Sequence, residues 1–190
     1  NAALRMASIS PYMFRPFVNE FIEGGEAMIN NKEIFATSSK LLYVLSCIKQ
    51  ANALNDSLGL PRKGFVIYTC LGKKAGANSP ISMIEELKKY LLNPESGFGY
   101  KKNTIVVQDK PKSKFSEVEI IAGGDTDKRP YLIKLFNRSE IKVIITTAKE
   151  GIDLQGNTIG LFNISVDWNP TDAKQVEGRA WRQGNKNAYI

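Results

Sequence analysis

Gly64-Phe65-Val66-Ile67-Tyr68-Thr69-Cys70 is an unbroken run of β-branched and aromatic residues that begins and ends at glycine-containing segments. A strand with one face in water alternates apolar and polar residues. A run without alternation fits a strand covered on both faces, as in a parallel sheet. Outward from it, residues 118–122, 142–146 and 159–166 repeat the pattern, with a further start at Ala188-Tyr189-Ile190 and a short strand at 104–107. Helical spacing fills the intervals. One helix runs from Ser38-Ser39 to about residue 55 through Leu41, Leu42, Val44, Leu45, Ile48, Ala51 and Leu54. A second covers 81–92, and a third starts at Thr126 or Asp127 and carries Leu132, Ile133, Leu135 and Phe136. Strands alternating with helices imply an α/β fold, a mainly parallel sheet with helices on both faces.

The flanks are less regular. Residues 4–18, broken by Pro11 and Pro16, read as a short helix and an irregular segment within an N-terminal extension (1–35) that packs on or leads into the main domain (36–190). Residues 96–116 hold Lys101, Lys102, Lys110, Lys112 and Lys114 and read as a solvated insertion or long loop.

At 190 residues, 43% hydrophobic and 24% charged, the chain fits one globular domain. Lys and Arg outnumber Asp and Glu by 26 − 19 = 7, which favours a polyanionic partner. Histidine is absent, excluding Ser-His-Asp and Cys-His catalysis and His-containing zinc sites. Cys47 and Cys70 are too few for a four-Cys metal site or a disulfide framework, and read as thiols in a reducing, intracellular compartment. No run of about 18 apolar residues suggests a membrane span.

Ligands of parallel sheets bind beyond the carboxyl ends of the strands. The basic loop at 71–80 with Lys73 and Lys74, the Gly123-Gly124-Asp125 turn and residues 146–153 each follow a strand directly. After the fourth strand, Asp167-Trp168-Asn169-Pro170 leads into Gln175-Val176-Glu177-Gly178-Arg179-Ala180-Trp181-Arg182-Gln183-Gly184. All four segments therefore belong on one rim. On a helix, Gln175, Arg179 and Arg182 share a face at i, i+4 and i+7, while Ala173, Val176 and Ala180 form another. Two guanidinium forks held together suit a phosphate; the alternative is a solvated basic face. A solvated loop is likewise the alternative for Lys73 and Lys74, and a local turn cap for Asp153. Packing is favoured over base stacking for Trp168 and Trp181, and Glu85-Glu86 and Asp125/Asp127 are assigned no catalysis, Asp127 suiting a helix N-cap.

These residues, in this order, resemble the second RecA-like lobe of helicase superfamily two, nearest the Swi/Snf-type ATPases that translocate on double-stranded DNA. Gln175, Gly178, Arg179, Arg182 and Gly184 match motif six, and Trp168-Asn169-Pro170 matches the Swi/Snf tripeptide before it. Residues 146–154 resemble motif five and 64–70 motif four. Gly124, Arg129, Phe136 and Asn137 fall where the family has its glycine, arginine and phenylalanine-asparagine, and residues 4–14 are similar to the segment preceding this lobe. Asp153 and Asn185 depart from the Swi/Snf pattern, which usually has Asn and Gln there.

The resemblance implies a RecA-like three-layer sandwich in which Arg179 and Arg182 act as arginine fingers on ATP, and Gln175 senses the γ-phosphate or positions the attacking water. Thr147 and Gly151 would meet the nucleic-acid backbone. Asp153 would link to the ribose or to motif six, Gly151, Asp153 and Gly178 making up the nucleotide side. Thr69, Lys73, Lys74 and Thr146 would complete the contacts to DNA phosphates. The chain holds no Gly-x-x-x-x-Gly-Lys-Ser/Thr loop and no Asp-Glu-x-His motif, so ATP and Mg²⁺ would be held mainly by a first lobe of the same polypeptide. This makes the chain half an ATP hydrolase, expected to show no turnover alone, with DNA as partner and no membrane. Two alternatives stay open: a RecA-like nucleic-acid-binding module without ATP turnover, and the helicase lobe of a restriction-modification, phage or mobile-element protein.

Overall fold

The computed structural model describes residues 4, 7–13, 31–70, 81–107, 110–124, 126–148, 151–165, 171, 174, 175, 177, 178 and 185. In chain order the elements are α1 (Asn31–Ala36), α2 (Ser39–Ser57), β1 (Gly64–Tyr68), α3 (Met83–Leu92), β2 (Ile105–Val107), β3 (Lys110–Phe115), β4 (Val118–Ile121), α4 (Arg129–Asn137), β5 (Val143–Thr146) and β6 (Thr158–Asn163). Short 3₁₀ turns lie at Pro11–Met13 and Pro94–Ser96.

The four long-range strands form one parallel sheet in the order β4-β5-β1-β6, with Ile67 beside Ile145 and Ile145 beside Ile120. All five residues of β1 and all four of β5 are buried, so both faces are covered. The two-residue side-chain period sorts them into two cores. Phe65, Ile67, Val143, Ile145, Val118 and Ile120 face α2 and α3 with Leu41, Ile48, Leu87 and Leu91. Val66, Ile144 and Ile121 face α4 with Leu132, Leu135 and Phe136. The sheet order and three layers are those of a RecA-like fold.

Local signals explain most boundaries. Ser38 caps α2, its Oγ accepting the Leu41 N–H at 3.2 Å. Leu42 and Leu54, expected on the apolar side of that helix, are instead 47% and 60% exposed, because Leu41, Val44, Leu45 and Ile48 already fill the contact with the sheet. Helix α4 starts at Arg129 rather than at Thr126 or Asp127. Pro130, with φ fixed and no N–H to donate, suits the first turn, so Asp127 lies in the preceding turn and is not its cap. Strand β6 ends at Asn163, short of the expected 166; Ala188-Tyr189-Ile190 lie outside the described residues.

The stretch 96–116 differs most from expectation. The short strand expected at 104–107 is present as β2 and pairs with β3 as an antiparallel hairpin, Ile105 opposite Phe115. Lys101, Lys102 and Lys114 are exposed as expected, whereas Phe98, Tyr100 and Phe115 are buried. Phe98 and Tyr100 stack at 6.2 Å, and the Arg62 guanidinium lies 5.9 Å from the Tyr100 ring while donating to Phe98 O at 2.6 Å and to Asp56 through two nitrogens. Aromatic burial outweighs the exposure that the lysines suggest. At the other end of the chain, Ile9, Met13, Ile34 and Phe35 join the α2–α3 core, with Ser10 Oγ donating to Ile34 O at 3.4 Å.

Candidate functional site

The carboxyl ends of the four strands form one continuous rim, because the hydrogen-bond ladder runs past the last strand residues. Thr69 N–H donates to Thr146 O at 3.0 Å, Thr147 N–H to Ile121 O at 3.2 Å, and Ile164 N–H to Tyr68 O at 3.0 Å. The polypeptide thus leaves β1, β4, β5 and β6 from adjacent points, as the parallel topology requires.

Thr146 is completely buried. Its Oγ1 donates to Ile121 O at 2.8 Å and accepts the Ala148 N–H at 3.0 Å, so both sides of the hydroxyl are engaged within the lobe and fix the turn out of β5. Thr69 is also buried, whereas Thr147, one residue beyond Thr146, is half-buried at the rim. Of the threonines expected near DNA, Thr147 is thus the one that is not fully buried; Lys73 and Lys74 lie outside the described residues.

Gly151 is exposed and has φ +68°, a left-handed conformation that glycine adopts without strain. A Cβ there would stand 3.0 Å from Arg129 Nη1. Arg129, the first residue of α4, gives Nη2 to Ala122 O at 3.3 Å and to Gly123 O at 3.1 Å, while its buried Nε has no partner among the described residues. Asn137, the last residue of the same helix, reaches the stretch after Gly151: its Nδ2 donates to Asp153 O at 2.9 Å and its Oδ1 accepts the Gly156 N–H at 3.0 Å. Asp153 is half-buried there, its backbone held by α4.

Gln175 and Gly178 are helical and exposed, as are Thr171, Lys174 and Glu177, and a Cβ on Gly178 would meet nothing within 4 Å among the described residues. Arg179 and Arg182 lie outside the described residues. Asn185 ties the end of this segment back to the sheet, its buried side chain donating to Thr158 O at 3.1 Å.

Two fixing roles escape the sequence pattern. Ser165 Oγ accepts the Cys70 N–H at 2.7 Å, and its own N–H donates to Asn163 Oδ1 at 3.2 Å, joining the exits of β1 and β6. The spacing Asn163-x-Ser165 is a turn signal that points to the second bond but not to the first. Arg129 stands out in the sequence only by its match to the family's arginine; its bonds to the Ala122 and Gly123 carbonyls, seven and six residues back, follow no turn or cap pattern.

Displaced titrations lie at the opposite, amino end of the strands. Burial lowers the pKa of Lys142, whose Nζ donates to Ser139 O and Arg62 O. Burial pushes the Tyr100 phenol up to about 12. Among the described residues no three His, Cys, Asp or Glu side chains group as metal ligands, and no helix is long and apolar enough to cross a membrane.

Comparison with known proteins places this geometry. The model of the helicase conserved C-terminal domain matches residues 82–184, from the start of α3 through the segment that holds Gln175 and Gly178. The crystal structure of the C-terminal part of the Fun30 ATPase domain superposes with a TM-score of 0.60 at 16% identity, over 97% of this chain. The chain spans 64% of that structure's length. No curated protein sequence matches.

Proposed function

The chain belongs to the helicase conserved C-terminal domain family, and from that membership we propose that it is the second motor lobe of an ATP-dependent DNA translocase of the Swi/Snf type. In this reading a first lobe of the same polypeptide holds most of ATP and its Mg²⁺. The present lobe closes on it with Arg179 and Arg182 as arginine fingers and Gln175 beside the γ-phosphate. ATP supplies the phosphoryl group to be transferred. The lobe's own part is to aim fixed positive charge at the oxygens where charge develops.

The observation that best supports the reading is the shared rim. The backbone rungs Thr69–Thr146 and Thr147–Ile121 bring the exits of three strands side by side, and Thr147 and Gly151 both stand there. Gln175 and Gly178 are exposed, which agrees with a place for them on the nucleotide side. Thr147 and Gly151, with Lys73 and Lys74, would meet duplex DNA through its phosphates, and the net charge of +7 agrees with a polyanionic partner. Gly151, Asp153 and Gly178 would line the nucleotide side. Closing and reopening of the lobes would move this grip along the backbone.

The test is DNA-stimulated ATP hydrolysis by the full-length protein carrying Arg182→Ala. Loss of about 10³-fold or more in turnover is expected for a missing finger. Turnover equal to wild type would remove the finger assignment, and a wild-type protein without DNA-stimulated turnover would leave a nucleic-acid-binding module.

A further inference from the structure

The Ile121-Ala122-Gly123 carbonyls anchor Thr147 and Arg129, the side chain that lies beside Gly151. Thr147 is held directly, its N–H donating to Ile121 O at 3.2 Å. Gly151 lies beside Arg129, which donates to Ala122 O and Gly123 O and whose Nη1 would stand 3.0 Å from a Cβ built on Gly151. A guanidinium spreads five donors over one rigid plane, so a single residue can bridge the turn after β4 and the chain after β5. The fit carries a cost, since Nε is buried with no hydrogen-bond partner among the described residues. A buried unsatisfied donor in a half-buried side chain indicates that orientation of the plane takes precedence over satisfaction of every donor.

We propose that Arg129 is a positioning residue: it sets the distance between Thr147 and Gly151, and through it the lobe's purchase on DNA, without touching DNA or nucleotide itself. The inference rests on the reading of Thr147 and Gly151 as DNA-backbone contacts. Gly151 is then required twice, for its left-handed backbone and for the space that Nη1 takes up. A lysine at 129 keeps the charge and reaches one carbonyl, but it has no planar fork to span both segments.

The experiment measures, on the full-length protein, the DNA concentration that half-activates ATP hydrolysis, for wild type, Arg129→Lys, Gly151→Ala and the double variant. Thermal unfolding midpoints are recorded alongside. Arg129→Lys is expected to raise the half-activating DNA concentration by ~10-fold, the scale for a misplaced contact group, while the unfolding midpoint and the KM for ATP stay near wild type. The two single effects should be less than additive in the double variant, because both disturb one contact. An unchanged half-activating concentration, additive effects, or a loss that follows the unfolding midpoint would each overturn the proposal. Arg182→Ala, run in parallel, separates the two failures. If it abolishes turnover while Arg129→Lys behaves as wild type, the positioning role alone falls. If it retains turnover, the finger assignment falls, and if the wild-type protein shows no DNA-stimulated turnover, the motor reading falls.

Discussion

The side-chain oxygen of Asn137 accepts the Gly156 N–H at 3.0 Å, and a Cβ built on Gly156 would stand 2.9 Å from that same oxygen. The last residue of α4 therefore fits against a backbone with no room for a side chain. Its Nδ2 meanwhile holds Asp153 O at 2.9 Å. Gly156→Ala should displace Asn137 and cost about 1–3 kcal/mol, as overpacking does. In an Asn137→Ala background the same change should cost less, because the obstructing oxygen is gone. Urea unfolding of the four proteins checks this; equal costs in both backgrounds would remove the clamp.

Thr146→Val tests whether the hydroxyl serves the turn or the DNA. Valine nearly keeps the shape but leaves the Ala148 N–H without its partner and Ile121 O with the Thr147 N–H alone, an expected loss of roughly 1–3 kcal/mol. The salt dependence of DNA binding should not move, since a fully buried Thr146 neutralises no phosphate. The contrasting variant is Lys73→Ala/Lys74→Ala, expected to reduce the salt slope by about two units if both lysines meet phosphates. A slope change from Thr146→Val would place its hydroxyl on DNA.

Gly64 opens β1 against the far core. A Cβ there would stand 2.5 Å from both Phe136 Cζ and Asn157 Nδ2, and both of those residues are completely buried. Gly64→Ala should destabilise the lobe by about 3 kcal/mol, the upper part of the usual overpacking range, without altering residues at the rim. Thermal unfolding is the measurement, and a wild-type midpoint would contradict the contact.

Tyr100 should give the lobe an alkaline weakness. Burial is the main cause of its raised pKa, and its hydroxyl accepts the Asn52 Nδ2–H at 2.8 Å. The folded pKa of about 12 exceeds the ordinary phenol value of 10.0, so between those values the unfolded phenol ionises first. Stability from this group is fully present below pH 10 and is lost as pH rises through about 12, a loss on the order of 2–3 kcal/mol. Tyr100→Phe should flatten that part of the pH profile relative to wild type, at the cost of leaving Asn52 Nδ2 buried and unpaired. Urea midpoints from pH 8 to 11.5 would show it; parallel profiles would contradict the shift.

Much of the layer structure was legible in the chain because burial on both faces leaves a continuous apolar record. The runs at 64–70, 118–122 and 142–146 became β1, β4 and β5, and Ser38 announced the start of α2. The stretch 96–116 was legible only in part: its lysines dominate the composition, whereas Phe98, Tyr100 and Phe115 decide its position through contacts with distant helices. The rim followed from topology, since every parallel strand must end on the same side.

The sequence by itself determined the parallel α/β layering, the excess of positive charge and the residue types available at the strand exits. These depend on local periodicity and composition. Only the tertiary structure decided which of those residues face outward and which support them. Thr146 turns its hydroxyl inward while Thr147 stands at the rim, and Arg129 and Asn137 reach from the two ends of one helix to Gly151 and Gly156. Neighbouring threonines are identical as letters. The carbonyl of Ile121, brought beside them by strand pairing, gives them different work: it takes the Thr146 hydroxyl, and from Thr147 only the backbone N–H.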